Sequence, residues 1–321
     1  GYIEHKITVV EPASSAYERE SLQSIKKLAP LSYEAQDRAV TKSDFETLVT
    51  REIPDLEFLR AWGGEEESPQ LHGVIFMSAK PKDRLFYSTD EKELILENFV
   101  RPRTIISLET RFVDPDFIRL ELVSTVLFNP RVTSSSEDEI KARVLTAIET
   151  FREERLNGFN STFRFSQLSD AIDDSDPAID SNLSSILLKS RQFPPFDELQ
   201  DIRIKFNNAL DRGDVANGVT SINSTGFFFG GILTFIQDDG AGTLQFYRVI
   251  NDQRVVIKNN IGTINYETGE FVIEDFIVTG IPDGLNYIDI TAIPKQNDVF
   301  TELNQILLLQ DEDIQIFVDE V

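Results

Sequence analysis

The chain has 321 residues, 55 of them acidic against 31 basic, giving a formal net charge of −24 with 40% hydrophobic residues. Such acidity repels phosphate backbones and anionic lipid, so neither nucleic acid nor a membrane is an expected partner. With no Cys and only two His, disulfides, thiolate metal sites and Cys nucleophiles are excluded, and a multi-histidine metal centre nearly so.

The apolar alternation of "YIEHKITVV" begins at once with no initiator Met, which suggests a fragment of a longer protein. It reads as a strand over 1–12, ended by Pro12. "SSAYERESLQSIKKLAP" follows as a helix, with Leu22, Ile25 and Leu28 at helical spacing and Pro30 closing it. A second helix is predicted in "AVTKSDFETLVTREIP". Thr41 sits at its N-cap, Asp44 completes the box, Phe45, Leu48 and Val49 form the stripe, and Pro54 stops it.

Strands Leu56–Trp62 and Gly73–Ala79 flank the loop "GGEEESPQLH". "STDEKELILENFV" carries a capping box from Ser88 to Glu91, and the "DPD" turn splits strands Thr104–Val113 and Phe117–Phe128. The clearest helix is "SSSEDEIKARVLTAIETFREERLNGF". Ser136 and Glu139 cap it, Ile140, Val144, Ile148, Phe151 and Leu156 make its stripe, and Gly158 is expected at C′. "FSQLSDAIDD" reads as a short helix and "AIDSNLSSILLKS" as a strand.

Pro194-Pro195 reads as a domain edge. Beyond it come short strands, among them "GGILTFIQ", "TLQFYRVI", "RVVIK", "GTINY", "EFVIEDFIV" and "IQIFVDE". In "INYETGEFVI", Gly269 is free to take positive φ in a hairpin. The expected fold is α+β: a helical N-terminal segment, then a mixed sheet with helices on one face, then a β-rich domain resembling a sandwich or open barrel. The expected domains are 1–54, 55–195 and 196–321.

The search for chemistry yields no catalytic, cofactor or metal residues. "AWGGEEESP" lacks the Lys and following helix of a phosphate loop, and its glutamates are adjacent, unlike the alternating ligands of a calcium loop. "DDSDPAID" (Asp173, Asp174, Asp176, Asp180) alternates better but lacks the loop Gly and terminal Glu. It reads as a helix end running into a solvated turn. No nucleophile elbow is present. The interaction candidates are Trp62 with Gly63, Gly64 and Glu65, and the run Phe227, Phe228, Phe229. Each has a plainer reading, as a core Trp at a strand end and as a buried strand.

An ordered set of motifs covers about the first quarter of the chain. It comprises Ile25, Lys26, Ala29 and Pro30; Arg38 to Thr41 with Asp44 and Phe45; then Gly63, Gly64, Glu65, Pro69 and Gly73. This set resembles the baseplate J-like family of contractile phage tails, although the family's paired prolines are here Ser68-Pro69. The middle segment is compatible with the family in layout only, and the β-rich tail from about Gln200 most resembles the long wedge subunit of T-even-type phages, of which this chain would be the C-terminal half. The resemblance implies a structural role in the virion's tail baseplate, assembled in the host cytoplasm. It implies pairing with a second copy, contacts with other wedge subunits around the central hub, and a part in triggering sheath contraction. It implies no cofactor and no catalysis. The alternative from a different class is an acidic glycan-binding module or hydrolase using the β-rich domain.

Overall fold

A computed structural model describes residues 26, 29–30, 33 and 38–321, except 68, 157 and 215–216. The strand expected over 1–12, and nearly all of the helix expected over 14–30, lie outside the described residues. The chain divides into two compact units, Gly1–Asp114 and Pro115–Val321.

In the first unit, helix α1 (Lys42–Glu52) starts where local chemistry dictates. The Asp44 carboxylate accepts from the Thr41 amide at 2.8 Å, and the Thr41 hydroxyl accepts from the Asp44 amide at 3.3 Å, which satisfies amides that the first turn leaves unpaired. Phe45, Leu48 and Val49 are buried beneath it. Strands β1 (Leu56–Gly63) and β2 (Val74–Pro81) pair antiparallel, and β3 (Glu109–Val113) joins β2 in parallel. The return crossing uses α2 (Thr89–Ile95), begun by the Ser88–Glu91 box and prolonged by a π turn over Leu96–Val100. The core joins the α1 stripe to Ala61, Met77, Ala79, Ile95 and Val100. Each fully buried large apolar side chain there contributes about 1.5–3 kcal/mol. The strand expected from Thr104 starts only at Glu109. Residues 101–103 form a 3₁₀ turn, and Ile105 and Ile106 face solvent rather than a sheet.

The second unit opens with β4 (Asp116–Phe128) and α3 (Glu137–Arg155), followed by β5 (Thr162–Phe163), α4 (Phe165–Asp173), β6 (Ile179–Gln192) and β7 (Gln200–Lys205). Next come β8 (Ile222–Ser224), β9 (Phe227–Phe229), β10 (Ile232–Asp238), β11 (Thr243–Ile250), β12 (Gln253–Asn265) and β13 (Glu270–Phe276). The last four strands are β14 (Ile288–Ala292), β15 (Val299–Phe300), β16 (Gln305–Leu308) and β17 (Ile314–Glu320). Twelve strands form one sheet in the order β16-β4-β6-β14-β8-β10-β11-β12-β13-β7, with β17 also on β4 and β9 on β10. The Pro194-Pro195 step thus lies inside this unit, between β6 and β7 of a single sheet.

The α+β expectation holds in its coarse form, but the ladder does not close into a barrel. Its end strands β16 and β7 are joined by a side chain instead, since Gln305 Nε2 donates to the Lys205 carbonyl at 2.9 Å. One core fills the curl. Ile140, Val144 and Ile148 of α3 and Leu168 and Ile172 of α4 meet Leu120, Ile186, Phe246, Phe271 and Leu307 from the sheet. The Ser136–Glu139 box starts α3, and Leu156 caps its end. Gly158, expected at C′, lies one position further on, at φ 144°. "RVVIK" and "GTINY", expected as two strands, are one long β12. The Asn259-Asn260 pair between them reads as a turn, but Asn260 takes φ 53° within the strand, so it bends the strand without ending it.

Candidate functional site

The loop after Trp62 is closed by its own residues. Gly63 ends β1, and residues 64–66 make one 3₁₀ turn. The Gly64 carbonyl accepts from the amides of Glu67 at 3.2 Å and Leu71 at 2.7 Å. A Cβ at Gly64 would collide with the Leu71 carbonyl oxygen, so only glycine permits this closure. Two of the three glutamates are used internally. Glu66 accepts from the Gly63 amide at 3.2 Å and pairs with Lys42 at the start of α1. That hydrogen bond with Lys42 is the main cause that holds its carboxyl below the usual range. Glu67 accepts from the Trp62 indole at 2.6 Å, while Glu65 is exposed. Trp62 itself is only 2% exposed and stacks on Phe76 across the β1–β2 pair, with ring centroids 5.8 Å apart.

The Phe227–Phe229 run is strand β9, paired antiparallel with β10. Gly230 and Gly231 form the tight turn between them, at φ 57° and 78°, a conformation that β-carbon-bearing residues rarely adopt. Phe227 is buried against Phe246 and Phe276, at 5.5 and 5.2 Å between centroids. Phe228 and Phe229 are half-buried. The main chain of Phe228 is engaged with the 279–280 segment, donating to the Gly280 carbonyl at 2.8 Å. The acidic segment after α4 is likewise tied down. Asp176 is buried, accepts from the Ala178 amide at 2.8 Å and pairs with Arg143, while Asp173 accepts from Asn182.

A feature that sequence reasoning missed lies on the outer face of β4, β6 and β14. Asp313 is only 2% exposed. It accepts from Arg119 at 2.8 Å and from Lys189 at 2.7 Å. Lys189 also reaches Glu121 at 2.8 Å. Arg191 grips Asp289 with both ends of its fork, at 2.8 and 2.9 Å, and bonds Glu312 at 3.0 Å; Glu312 in turn pairs with Arg119. The Arg191 guanidinium also covers the Tyr287 ring at 3.8 Å. Burial pulls the Lys189 ammonium down, but its bonds to Asp313 and Glu121 outweigh this and leave it above its ordinary value. Bonding to Asp289 raises Arg191 as well. The alternation in "RLEL" and "LLKSRQ" marks two strands with one charged face. No local pattern says that the acid meeting them comes from a turn near residue 312.

Residues 41–111 match a family described as baseplate structural protein gp6, C-terminal domain I. Residues 116–190 match a second, described as baseplate structural protein gp6, C-terminal domain III. Each match falls within one of the two compact units. The baseplate wedge protein gp6 of Enterobacteria phage T4 is 23% identical over 205 residues, which is 64% of this chain. The match spans 30% of the length of that relative. A cryo-EM structure of the anti-feeding prophage baseplate covers 53% of this chain and 38% of its own, at 13% identity and a TM-score of 0.38. The matching family descriptions name gp6 rather than the J-like family. They support kinship with baseplate wedge proteins.

Proposed function

We propose that this chain is a structural, non-catalytic subunit of a contractile-tail baseplate wedge. It would self-associate, hold neighbouring wedge subunits in the ring around the central hub, and pass on the rearrangement that triggers sheath contraction. The observation that carries this reading is the succession of two gp6 C-terminal domain matches, one in each compact unit. Its place would be the virion's tail baseplate, after assembly in the host cytoplasm. The sequence-derived interaction residues fit in different ways. Glu65, which is exposed, and Phe228 and Phe229, which are half-buried, would touch a neighbour. Trp62, Gly63 and Gly64 would act by fixing the loop that presents Glu65.

The physical chemistry of the acidic groups supports a structural role. A groove of about 500 Å³ between α3 and β17 carries two carboxylates, Glu149 and Asp311. Arg152 pairs with both, at 3.5 and 2.8 Å, an arrangement that favours fixing the groove wall over poising an acid–base pair.

Sedimentation velocity over a concentration series tests the reading. The expected result is a dimer that grows with concentration and a further complex when neighbouring wedge proteins are added. A strict monomer at high concentration that binds none of them sinks it.

A further inference from the structure

The hairpin of β11 and β12 breaks the charge pattern of the chain. Between Tyr247 and Lys258 it carries three cations, Arg248, Arg254 and Lys258, against one carboxylate, Asp252, in a protein with 55 acidic and 31 basic residues. Asn251 and Asp252 make its turn at φ 48° and 60°, the left-handed pair that matches strand twist in two-residue hairpins. The ladder of β11 to β10 ends at Tyr247, and that of β12 to β13 begins only at Gly262. Residues 248–255 therefore pair only with one another, as a two-stranded arm.

The arm exposes apolar side chains that the core does not use. Val249 is 52% exposed, and Ile250, Val255 and Val256 are also exposed. Its cations are not neutralised. Arg254 lies over the Tyr247 ring at 5.0 Å and donates only to neutral oxygens, Thr220 Oγ1 at 3.2 Å, Gln237 Oε1 at 3.3 Å and Asn223 Oδ1 at 3.4 Å. Lys258 sits over Phe229 at 5.8 Å, and Arg248 Nε is buried with no hydrogen-bond partner. Among the described residues no carboxylate pairs with any of the three. In the β4–β6–β14 cluster, by contrast, every cation holds two carboxylates.

We propose that the face of the β11–β12 arm carrying Val249, Arg254 and Val256 is a docking surface for an acidic protein segment, whose carboxylates meet Arg254 while its apolar side chains cover Val249 and Val256; Lys258, over Phe229, lies on the opposite face and adds only its charge. The charge complementarity is local. At physiological salt, charges more than about 8 Å apart are largely screened. A compact protein segment therefore meets the arm's net positive charge and not the −24 of the whole chain. An extended polyanion such as duplex DNA or an anionic bilayer would bring the surrounding acidic surface within that distance and be repelled. Exposed valines beside cations also suit a protein interface, which combines an apolar centre with a polar rim. The inference stands apart from the wedge reading, because it names a surface and its chemistry whatever assembly the chain enters.

The test is a fluorescence-anisotropy titration of the full chain with a labelled peptide of alternating Glu and Val. Binding is expected, weakening as salt rises, with a matched Lys–Val peptide failing to bind. The variant Arg254→Glu should bind at least about tenfold more weakly, a loss of about 1.4 kcal/mol, while its thermal melt matches the parent. Should that variant fold poorly, Val249→Thr with Val256→Thr, which leaves charge untouched, is expected to weaken binding as well. No binding of the Glu–Val peptide overturns the proposal, and so does equal binding by a folded variant. Tighter arm-dependent binding to duplex DNA or phosphatidylserine vesicles overturns it in favour of a phosphate partner. Self-association abolished by these same substitutions, with no peptide binding, overturns it in favour of a second copy.

Discussion

Two regions of the twelve-stranded sheet use the same residue types to opposite ends. On β4, β6 and β14, Arg119, Lys189 and Arg191 are each held by two carboxylates, and the acid at the centre is almost fully buried. On the β11–β12 arm, Arg248, Arg254 and Lys258 have none among the described residues. The difference arises from what the chain brings across each face. β16 pairs with β4 as far as Arg119, and β17 resumes at Leu122. The residues between them are too many for the gap, so they bulge into a 3₁₀ turn that delivers Glu312 and Asp313 onto the charged face. Among the described residues no comparable acidic turn crosses the arm. A cation on a strand is thus a structural element or an open contact according to whether a distant segment covers it.

The largest expected effect comes from breaking the covered region. Asp313→Ala should cost up to about 3–5 kcal/mol, because Arg119 and Lys189 stay buried and keep only one carboxylate each, Glu312 and Glu121. Urea unfolding measures this, and a loss below about 1 kcal/mol would mean that water solvates the site and the two regions differ less than their geometry indicates. Next in size is Gly262→Ala, at the base of the arm. A Cβ there would strike the Val272 carbonyl of β13, so the strands must part, at about 1–3 kcal/mol. Hydrogen exchange should then rise in residues 262–265, where β12 joins β13, and stay unchanged in the Asp313 region.

The contrast also explains what was readable in the sequence. Thr41–Asp44, Ser88–Glu91 and Ser136–Glu139 were legible because a capping box is complete within four residues. The Gly269 hairpin was legible for the same reason. Gly63-Gly64 could be placed at a strand end, but the demand for glycine at 64 comes from Leu71, seven residues on. Trp62 had two readings, and its bond to Glu67 required the shape of the loop to be known. The ion cluster was out of reach, since Arg119 and Asp313 are nearly the whole unit apart in sequence. "RVVIK" and "GTINY" read as two strands because Asn259-Asn260 carries a turn signal, and the ladder with β11 does break over residues 259–261 but resumes at Gly262. Strand order in so large a sheet depends on pairings of this long-range kind, which no local pattern encodes.

A smaller effect follows from titration. The Lys189 pKa is raised from an ordinary value of 10.5, so the folded state holds that proton more tightly than the unfolded chain. Its contribution is fully present below the ordinary value. It falls as pH rises above 10.5, where the unfolded chain loses the proton first, until the folded value is passed. Urea midpoints should therefore drop more steeply above that pH in the parent than in Lys189→Met, although the variant is less stable at neutral pH. Equal slopes would mean that Lys189 is not held by its carboxylates.

The smallest stability effect is expected at the arm. Arg254→Gln removes the contact with Tyr247 and weak bonds to neutral oxygens, but it strands no buried charge, because no carboxylate depended on it. The loss should stay within about 0.5 kcal/mol, the usual range for a surface substitution. This is the counterpart of Asp313→Ala. Both remove one charged group from the same sheet, yet the expected costs differ by several kcal/mol, since only one takes a shared carboxylate from two buried cations. A loss at Arg254 approaching that at Asp313 would show that the guanidinium fastens the arm to β8 and β10 through Thr220 and Gln237. Its lack of a carboxylate would then be part of the fold's internal economy and no sign of an outside partner.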